Sequence, residues 1–322
     1  MGRLENGKWI DQWHNTKETK GRYVRKPSIY RNWITKDGAA GPSGRDGFTA
    51  EKDRYHLYVS WACPWAHRTL IFRAIKGLED IISISVVNAI MRSHGWTFDD
   101  GQGVIADSIN NKKYLYEVYL KEDQNYTGRV TVPLLWDKKT SSIVNNESAD
   151  IIRMFNSEFD DIGANPGNYY PEAKRPAIDD MNDYIYQNIN NGVYRSGFAT
   201  TQEAYNEAIE TLFLGLDKLD TILSHQKYLI GDEITESDWR LLPTLLRFDS
   251  VYHGHFKCNK KKIKEYDNLF NYAKELYQYP GISDTYDDEY SKLHYYGSHC
   301  LLYTSDAADE GLGVDLGGRR II

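Results

Sequence analysis

The apolar positions of this chain change rhythm near its middle. Up to about residue 160 they come in short β-branched or aromatic runs divided by turn-forming residues, whereas beyond about 175 they recur at helical spacing. The run Tyr55-His56-Leu57-Tyr58-Val59-Ser60 predicts a strand over 54–60. A helix is predicted over about 64–76, with Pro64 at its first position, where no amide hydrogen is needed and φ is already set. Ile81-Ile82-Ser83-Ile84-Ser85-Val86-Val87, bounded by Gly77 and Asn88, predicts a second strand, so the three elements form a βαβ unit with parallel strands. A polar insertion follows over 89–128, with one short helix between Tyr114 and Leu120. Val130 to Trp136 predicts a strand broken by Pro133, which suits a sheet edge or a cis bond better than a paired central strand. Ile143-Val144 is a further short strand. Glu147-Ser148 then opens a helix that places Ile151, Ile152 and Phe155 on one face.

The pattern after the punctuation Asn165-Pro166-Gly167-Asn168 is helical, and the linker is expected at about 158–175. Leu212, Leu216, Leu219 and Leu223 mark one helix. Thr235-Glu236-Ser237-Asp238 reads as a capping box ahead of Trp239, Leu241 and Leu242, with Asp238 in place of the usual longer acid. Residues 1–50 are polar and rich in Gly and Lys. They predict an irregular arm with Trp9, Trp13, Tyr23, Tyr30 and Trp33 as anchors. The expected architecture is thus α/β plus all-α: an arm over 1–50, an α/β domain over 51–160 and a helical domain over 161–299. From Cys300 the text Cys-Leu-Leu-Tyr-Thr-Ser-Asp-Ala-Ala-Asp-Glu, and later Val314 to Ile322, reads as an in-frame translation of a transposon-type sequencing-library adapter. Residues 300–322 are therefore set aside from fold reasoning.

Composition narrows the function. A chain of 322 residues suits two domains with an adequate core. Its net charge of −7, without a basic stripe interleaved with aromatics, argues against nucleic acid as a partner. The lysines at 257, 260, 261, 262 and 264 suit a solvated helix face. No apolar run approaches the roughly 20 residues that span a bilayer, and the N-terminus has no signal-peptide core, so no membrane partner is expected. Three widely spaced cysteines form no disulfide framework, which places the protein in a reducing, cytoplasmic compartment. His253 and His255 alternate as on one strand face, but no third ligand lies near, so no metal site is expected.

Cys63 is the candidate nucleophile. It precedes Pro64 at the strand-to-helix turn, where unpaired amides and the positive end of the helix dipole favour a thiolate and predict a lowered pKa. The text Cys63-Pro64-Trp65-Ala66 has no second cysteine, so an external thiol must resolve any mixed disulfide. A buried structural cysteine is the alternative reading. The 25 tyrosines and 8 tryptophans suit either a cleft for flat ligands or plain core packing.

The order of a βαβ unit with an N-terminal cysteine, a Val-Pro strand, Glu-Ser opening a helix and a helical domain with a capping box resembles the glutathione transferases. Ser60 to Arg68, Gly95-Trp96, Arg129-Val130-Thr131-Val132-Pro133, Asn146-Glu147-Ser148 and His294-Tyr295-Tyr296 are similar to the xi class, the glutathionyl-hydroquinone reductases. The resemblance implies a thioredoxin-like N-terminal domain that binds glutathione as co-substrate, an all-helical C-terminal domain and a homodimer. It implies Cys63 as nucleophile and Glu147 and Ser148 at the γ-glutamyl end. Val130 would pair with the cysteinyl backbone, Pro133 would be in cis, Arg129 would face a ligand carboxylate and Trp96 would cover the tripeptide. Tyr194, Tyr295 and Tyr296 would face a glutathionylated aromatic or quinol substrate, with Tyr252 a weaker addition. An omega-like thiol transferase or dehydroascorbate reductase, and a non-catalytic glutathione-fold binding module, remain as alternatives.

Overall fold

A computed structural model describes residues 2–12, 14–42 and 45–298; the adapter-like segment 300–322 and the expected anchor Trp13 lie outside them. The first fifty residues, expected to be irregular, contain short strands: β1 (Arg3–Glu5), β2 (Lys8–Ile10), β3 (Trp33–Thr35) and β4 (Gly47–Thr49). Asn6 and Gly7 both take positive φ, as a two-residue hairpin turn requires, and β1 pairs antiparallel with β2. β3 and β4 pair in parallel.

The βαβ unit forms as predicted, from β5 (Tyr55–Val59), α1 (Pro64–Ile75) and β6 (Ser83–Val86), with β5 and β6 parallel. α2 (Leu115–Glu122) occupies the insertion, and β7 (Gly128–Arg129) joins β1. β8 (Leu134–Asp137) and β9 (Ser142–Asn145) complete a four-stranded sheet in the order β6-β5-β8-β9. Pro133 makes the only cis bond among the described residues, after Val132, and β8 starts directly beyond it. β8 is not an edge strand, however: it pairs with β5 on one side and β9 on the other. The proline stands one residue outside the ladder, so its missing N–H is not needed there.

α3 (Ser148–Ser157) packs on α1 beneath this sheet. The remaining elements are helical: α4 (Arg175–Ile185), a π-helical turn at Tyr186–Asn190, α5 (Gly192–Gly197), α6 (Gln202–Leu223), α7 (Glu236–Arg247), a second π-helical turn at Phe248–Tyr252, α8 (Asp267–Tyr277) and α9 (Asp288–Ser298). The architecture is a thioredoxin-like sheet domain followed by an all-helical domain. α7 packs on α1, and the buried Glu236 at its start binds Arg153 of α3 and Arg240 one turn on, tying the two halves together. The capping box forms at Thr235, whose N–H and hydroxyl both donate to the Asp238 carboxylate, at 2.7 and 2.9 Å. His253 and His255 follow the second π-helical turn rather than lying on a strand. No cluster of metal-ligating side chains occurs among the described residues. No helix among them is long and apolar enough to cross a membrane.

Candidate active site

Cys63 is the N-cap of α1. Its backbone is extended, Pro64 follows at the first helical position, and its Sγ accepts from the Ala66 N–H at 3.5 Å. The thiol also lies 3.5 Å from the Val132 carbonyl, to which it donates. Cys63 is half-buried, not sealed in the core. Burial pushes its pKa up, while the Ala66 and Trp65 amides and the charges of Arg25 and Arg247 pull it down; the net direction is upward. The direction is the opposite of the lowering expected from the cap, because the two amides and the two cations do not offset the desolvation of a thiolate.

Arg247, at the end of α7, holds the cysteine loop in place. Its fully buried guanidinium donates to the carbonyls of Trp61 at 2.7 Å, Ala62 at 2.8 Å and Pro243 at 2.9 Å, and lies 3.0 Å from His67 Nδ1. Burial and this cation lower the His67 pKa well below the usual histidine range, so His67 is neutral.

Glu147 and Ser148 stand at the N-terminus of α3. Glu147 is the N-cap: its carboxylate accepts from Ala149 N–H at 3.2 Å and from Ser28 of the arm at 2.9 Å. Burial raises its pKa, but the charges of Arg25 and Arg31 and these hydrogen bonds leave it below the ordinary range, so it is ionised. The Ser148 hydroxyl is buried and has no partner among the described residues. Val130 is buried directly after β7, two residues before the Val132 carbonyl that meets Cys63. A buried hydroxyl without a partner at a helix N-terminus suits a peptide with a free carboxylate.

Two of the other expected glutathione contacts are engaged elsewhere. Arg129 donates to the Gln12 carbonyl at 3.0 Å and the Gly2 carbonyl at 3.3 Å, so its guanidinium braces the arm instead of standing free for a ligand. Trp96 is buried and stacks on His294, with ring centroids 4.8 Å apart.

The tyrosines divide. Tyr194 and Tyr295 share a hydrogen bond of 2.8 Å between hydroxyls, and the Tyr252 hydroxyl is 3.4 Å from that of Tyr295. The Cys63 charge acts on both Tyr194 and Tyr252, so the cluster is within electrostatic reach of the sulfur, and Tyr194 lies 6.2 Å from the ring of Trp65, two residues beyond Cys63. Burial raises the pKa of all three, that of Tyr252 to about 12, so they are neutral phenols. Tyr296 is not part of the cluster: it is 45% exposed and donates to the Ser250 carbonyl. Successive residues on α9 point about 100° apart, so Tyr295 and Tyr296 serve different faces.

Sequence reasoning missed Arg25 and Arg247 and underrated Tyr252. Arg25 reaches the site from the arm, its guanidinium 4.2 Å from the Trp65 ring, and its charge acts on Cys63 and Glu147. No local pattern separates Arg25 from neighbouring Arg22 and Lys26, and Arg247 ends an ordinary leucine-rich helix.

Residues 62–158 match the family described as glutathione S-transferase, N-terminal domain, and residues 202–275 match its C-terminal domain. The chain is 54% identical, over 98% of its length and 97% of the relative's, to the glutathionyl-hydroquinone reductase YqjG of Escherichia coli K12. It is 53% identical, over 93% and 92% of the two lengths, to the glutathionyl-hydroquinone reductase PcpF of Sphingobium chlorophenolicum. The glutathione-bound structure of YqjG superposes with a TM-score of 0.84, covering 86% of this chain and 90% of that one. The glutathione-S-transferase Xi of Phanerochaete chrysosporium superposes with a TM-score of 0.82 at 48% identity, covering 87% and 94%.

Proposed function

The chain belongs to the glutathione transferases, in their xi class, and from that footing we propose that it is an enzyme that reduces glutathionyl-hydroquinones with glutathione as co-substrate. Cys63 attacks the glutathione sulfur of the conjugate. The carbon–sulfur bond breaks, its electron pair leaves with the ring, and the ring carbon takes up a proton to give the free hydroquinone. Cys63 is then joined to glutathione by a disulfide. The thiolate of a second glutathione attacks that disulfide, so oxidised glutathione leaves and the Cys63 thiolate returns. The net change consumes one conjugate and one glutathione, and yields one hydroquinone and one oxidised glutathione.

The observation that carries this reading is the half-buried Cys63 at a helix cap with the Tyr194–Tyr295–Tyr252 phenols within electrostatic reach of it. Neutral phenols donate hydrogen bonds to the ring oxygens as negative charge grows on the departing ring. Burial holds the Cys63 thiol up, so the attack includes the loss of its proton. Glu147 takes the γ-glutamyl ammonium and Ser148 its carboxylate, and Val130 pairs with the cysteinyl backbone. In this division glutathione lies on residues 51–160 and the quinol faces 161–299. Cys63 and Cys258 are both free, which suits a reducing cytoplasm. We assign a homodimer on the same family footing, to be checked by light scattering of the purified chain.

Mass spectrometry of the enzyme mixed with glutathionyl-hydroquinone tests the scheme. A glutathione adduct on Cys63, absent from Cys63→Ser, is the expected result. An unmodified Cys63 rejects it in favour of a non-catalytic binding module. Faster turnover of a small mixed disulfide or of dehydroascorbate than of the conjugate marks an omega-like thiol transferase instead.

A further inference from the structure

A cavity of about 500 Å3 lies between the arm segment Arg22–Arg25, the first π-helical turn and helices α5 and α6. Tyr23, Arg25, Tyr186, Asn191, Arg195 and Glu207 are among its walls. Two of these side chains carry polar atoms that the fold leaves without partners. Asn191 is 8% exposed and its Oδ1 accepts no hydrogen bond; Nε and Nη2 of Arg195 are buried and donate none, among the described residues. The acid that acts on Arg195, Glu207, is already held by Arg22 through contacts of 2.9 and 2.6 Å. Buried polar groups are almost always satisfied, and a desolvated cation is the most costly to leave alone. Positions 191 and 195 are one helical turn apart and share a face. The cavity therefore presents a cation and an acceptor side by side, with a second cation at Arg25. The rings of Tyr23 and Tyr186 and the methyl groups of Val24, Ala204 and Ala208 form apolar walls.

We propose that this cavity binds a hydroxylated aromatic carboxylate. Its carboxylate accepts from Arg195 and Arg25, its hydroxyl donates to Asn191 Oδ1, and its ring lies against Tyr23 and Tyr186. The size is in the range of small-ligand sites. It adjoins the candidate active site and shares Arg25 with it, while Trp65 stands between the two, 5.9 Å from Tyr186 and 6.2 Å from Tyr194. The proposal goes beyond the reductase reading and does not depend on what Cys63 does.

Calorimetric titration of the full chain with 3-hydroxybenzoate, and with 3-hydroxybenzamide as its uncharged counterpart, tests it. The acid should bind at least tenfold tighter than the amide. Its binding should persist in Cys63→Ser and under saturating glutathione, and fall at least tenfold in Arg195→Met. That variant should melt no lower than the parent, since it removes two buried N–H groups that have no hydrogen-bond partner among the described residues. Equal affinity for acid and amide, no binding by the parent, displacement by glutathione, or full binding by Arg195→Met each overturn the proposal. Should Arg195→Met fail to fold, Asn191→Leu decides. The parent should prefer 3-hydroxybenzoate to benzoate and the variant should not; a preference that survives in Asn191→Leu overturns the assignment.

Discussion

Single atoms separate residues that look alike in the sequence. Tyr295 and Tyr296 are adjacent and of one type, yet only Tyr295 shares the hydroxyl cluster with Tyr194 and Tyr252. Tyr295→Phe removes the hydroxyl common to both contacts and should lower kcat for a glutathionyl-hydroquinone by roughly 10- to 100-fold, the range of one lost hydrogen-bond donor or proton donor. Tyr296→Phe should stay within about twofold of the parent, because its hydroxyl faces the Ser250 carbonyl at the surface. Steady-state kinetics on the two variants checks both, and equal losses would place the quinol elsewhere. Ser148 makes a sharper case. Its buried hydroxyl has no partner among the described residues, so Ser148→Ala removes no contact seen there. The variant should melt at or above the parent temperature while the KM for glutathione rises about tenfold, which corresponds to about 1.4 kcal/mol of lost binding. A fall in melting temperature with an unchanged KM would make Ser148 a plain helix start.

At the level of elements, α7 does two jobs, and only one of them was legible. The Thr235–Asp238 box announced where the helix begins, because capping chemistry is local and needs no partner far along the chain. Nothing announced that its last residue, Arg247, reaches 185 and 186 positions back to the Ala62 and Trp61 carbonyls beside the nucleophile. Arg247→Met takes the guanidinium from these two carbonyls and leaves them without that donor. At about 1–3 kcal/mol for each orphaned group the variant should lose several kcal/mol, measurable as a lower urea midpoint. Cysteine alkylation should also speed up at Cys63 as the loop loosens; an unchanged midpoint would show that water replaces the guanidinium. The same contrast runs through the fold. The β5-α1-β6 unit and the start of α3 were readable from short-range signals, whereas Pro133 left a sheet edge and a cis bond both open until the resemblance favoured cis. The Asn6-Gly7 hairpin carried its own signal too, between Leu4 and Trp9, and was passed over because the surrounding arm is polar. The central position of β8 was not readable, since strand order depends on partners that no local pattern specifies. The cleft residues were named through resemblance, while Arg25 and Arg247 came only from the packing.

Taken whole, the molecule is a strap, a sheet and a helical block whose shared interior holds several neutral imidazoles. The strap runs from Arg22, bound to Glu203 and Glu207 of α6, to Ser28 on Glu147 and Arg31 on Asp150 at α3, so it crosses both halves and delivers Arg25 to the site between them. His56, His255 and His294 are buried, and burial lowers each pKa from 6.5 to about 4; His67 lies well below the usual range. A histidine whose folded pKa is depressed takes up its proton in the unfolded chain first. Stability is therefore complete above pH 6.5 and falls as pH drops from 6.5 toward 4, at about 1.4 kcal/mol per pH unit for each such group once below 6.5. Between pH 7 and 5 the urea unfolding free energy should decline by several kcal/mol, well before the carboxylates titrate. His56 offers the control, because its ring bonds only the Ser83 and Ser85 hydroxyls, at 2.7 and 2.9 Å. Glutamine can meet both hydroxyls without taking a proton, so His56→Gln should flatten the slope between pH 6 and 5 by about 1.4 kcal/mol per unit. A parent whose stability is level from pH 7 to 5 would mean that these imidazoles protonate in place, and that the interior around β5 admits water.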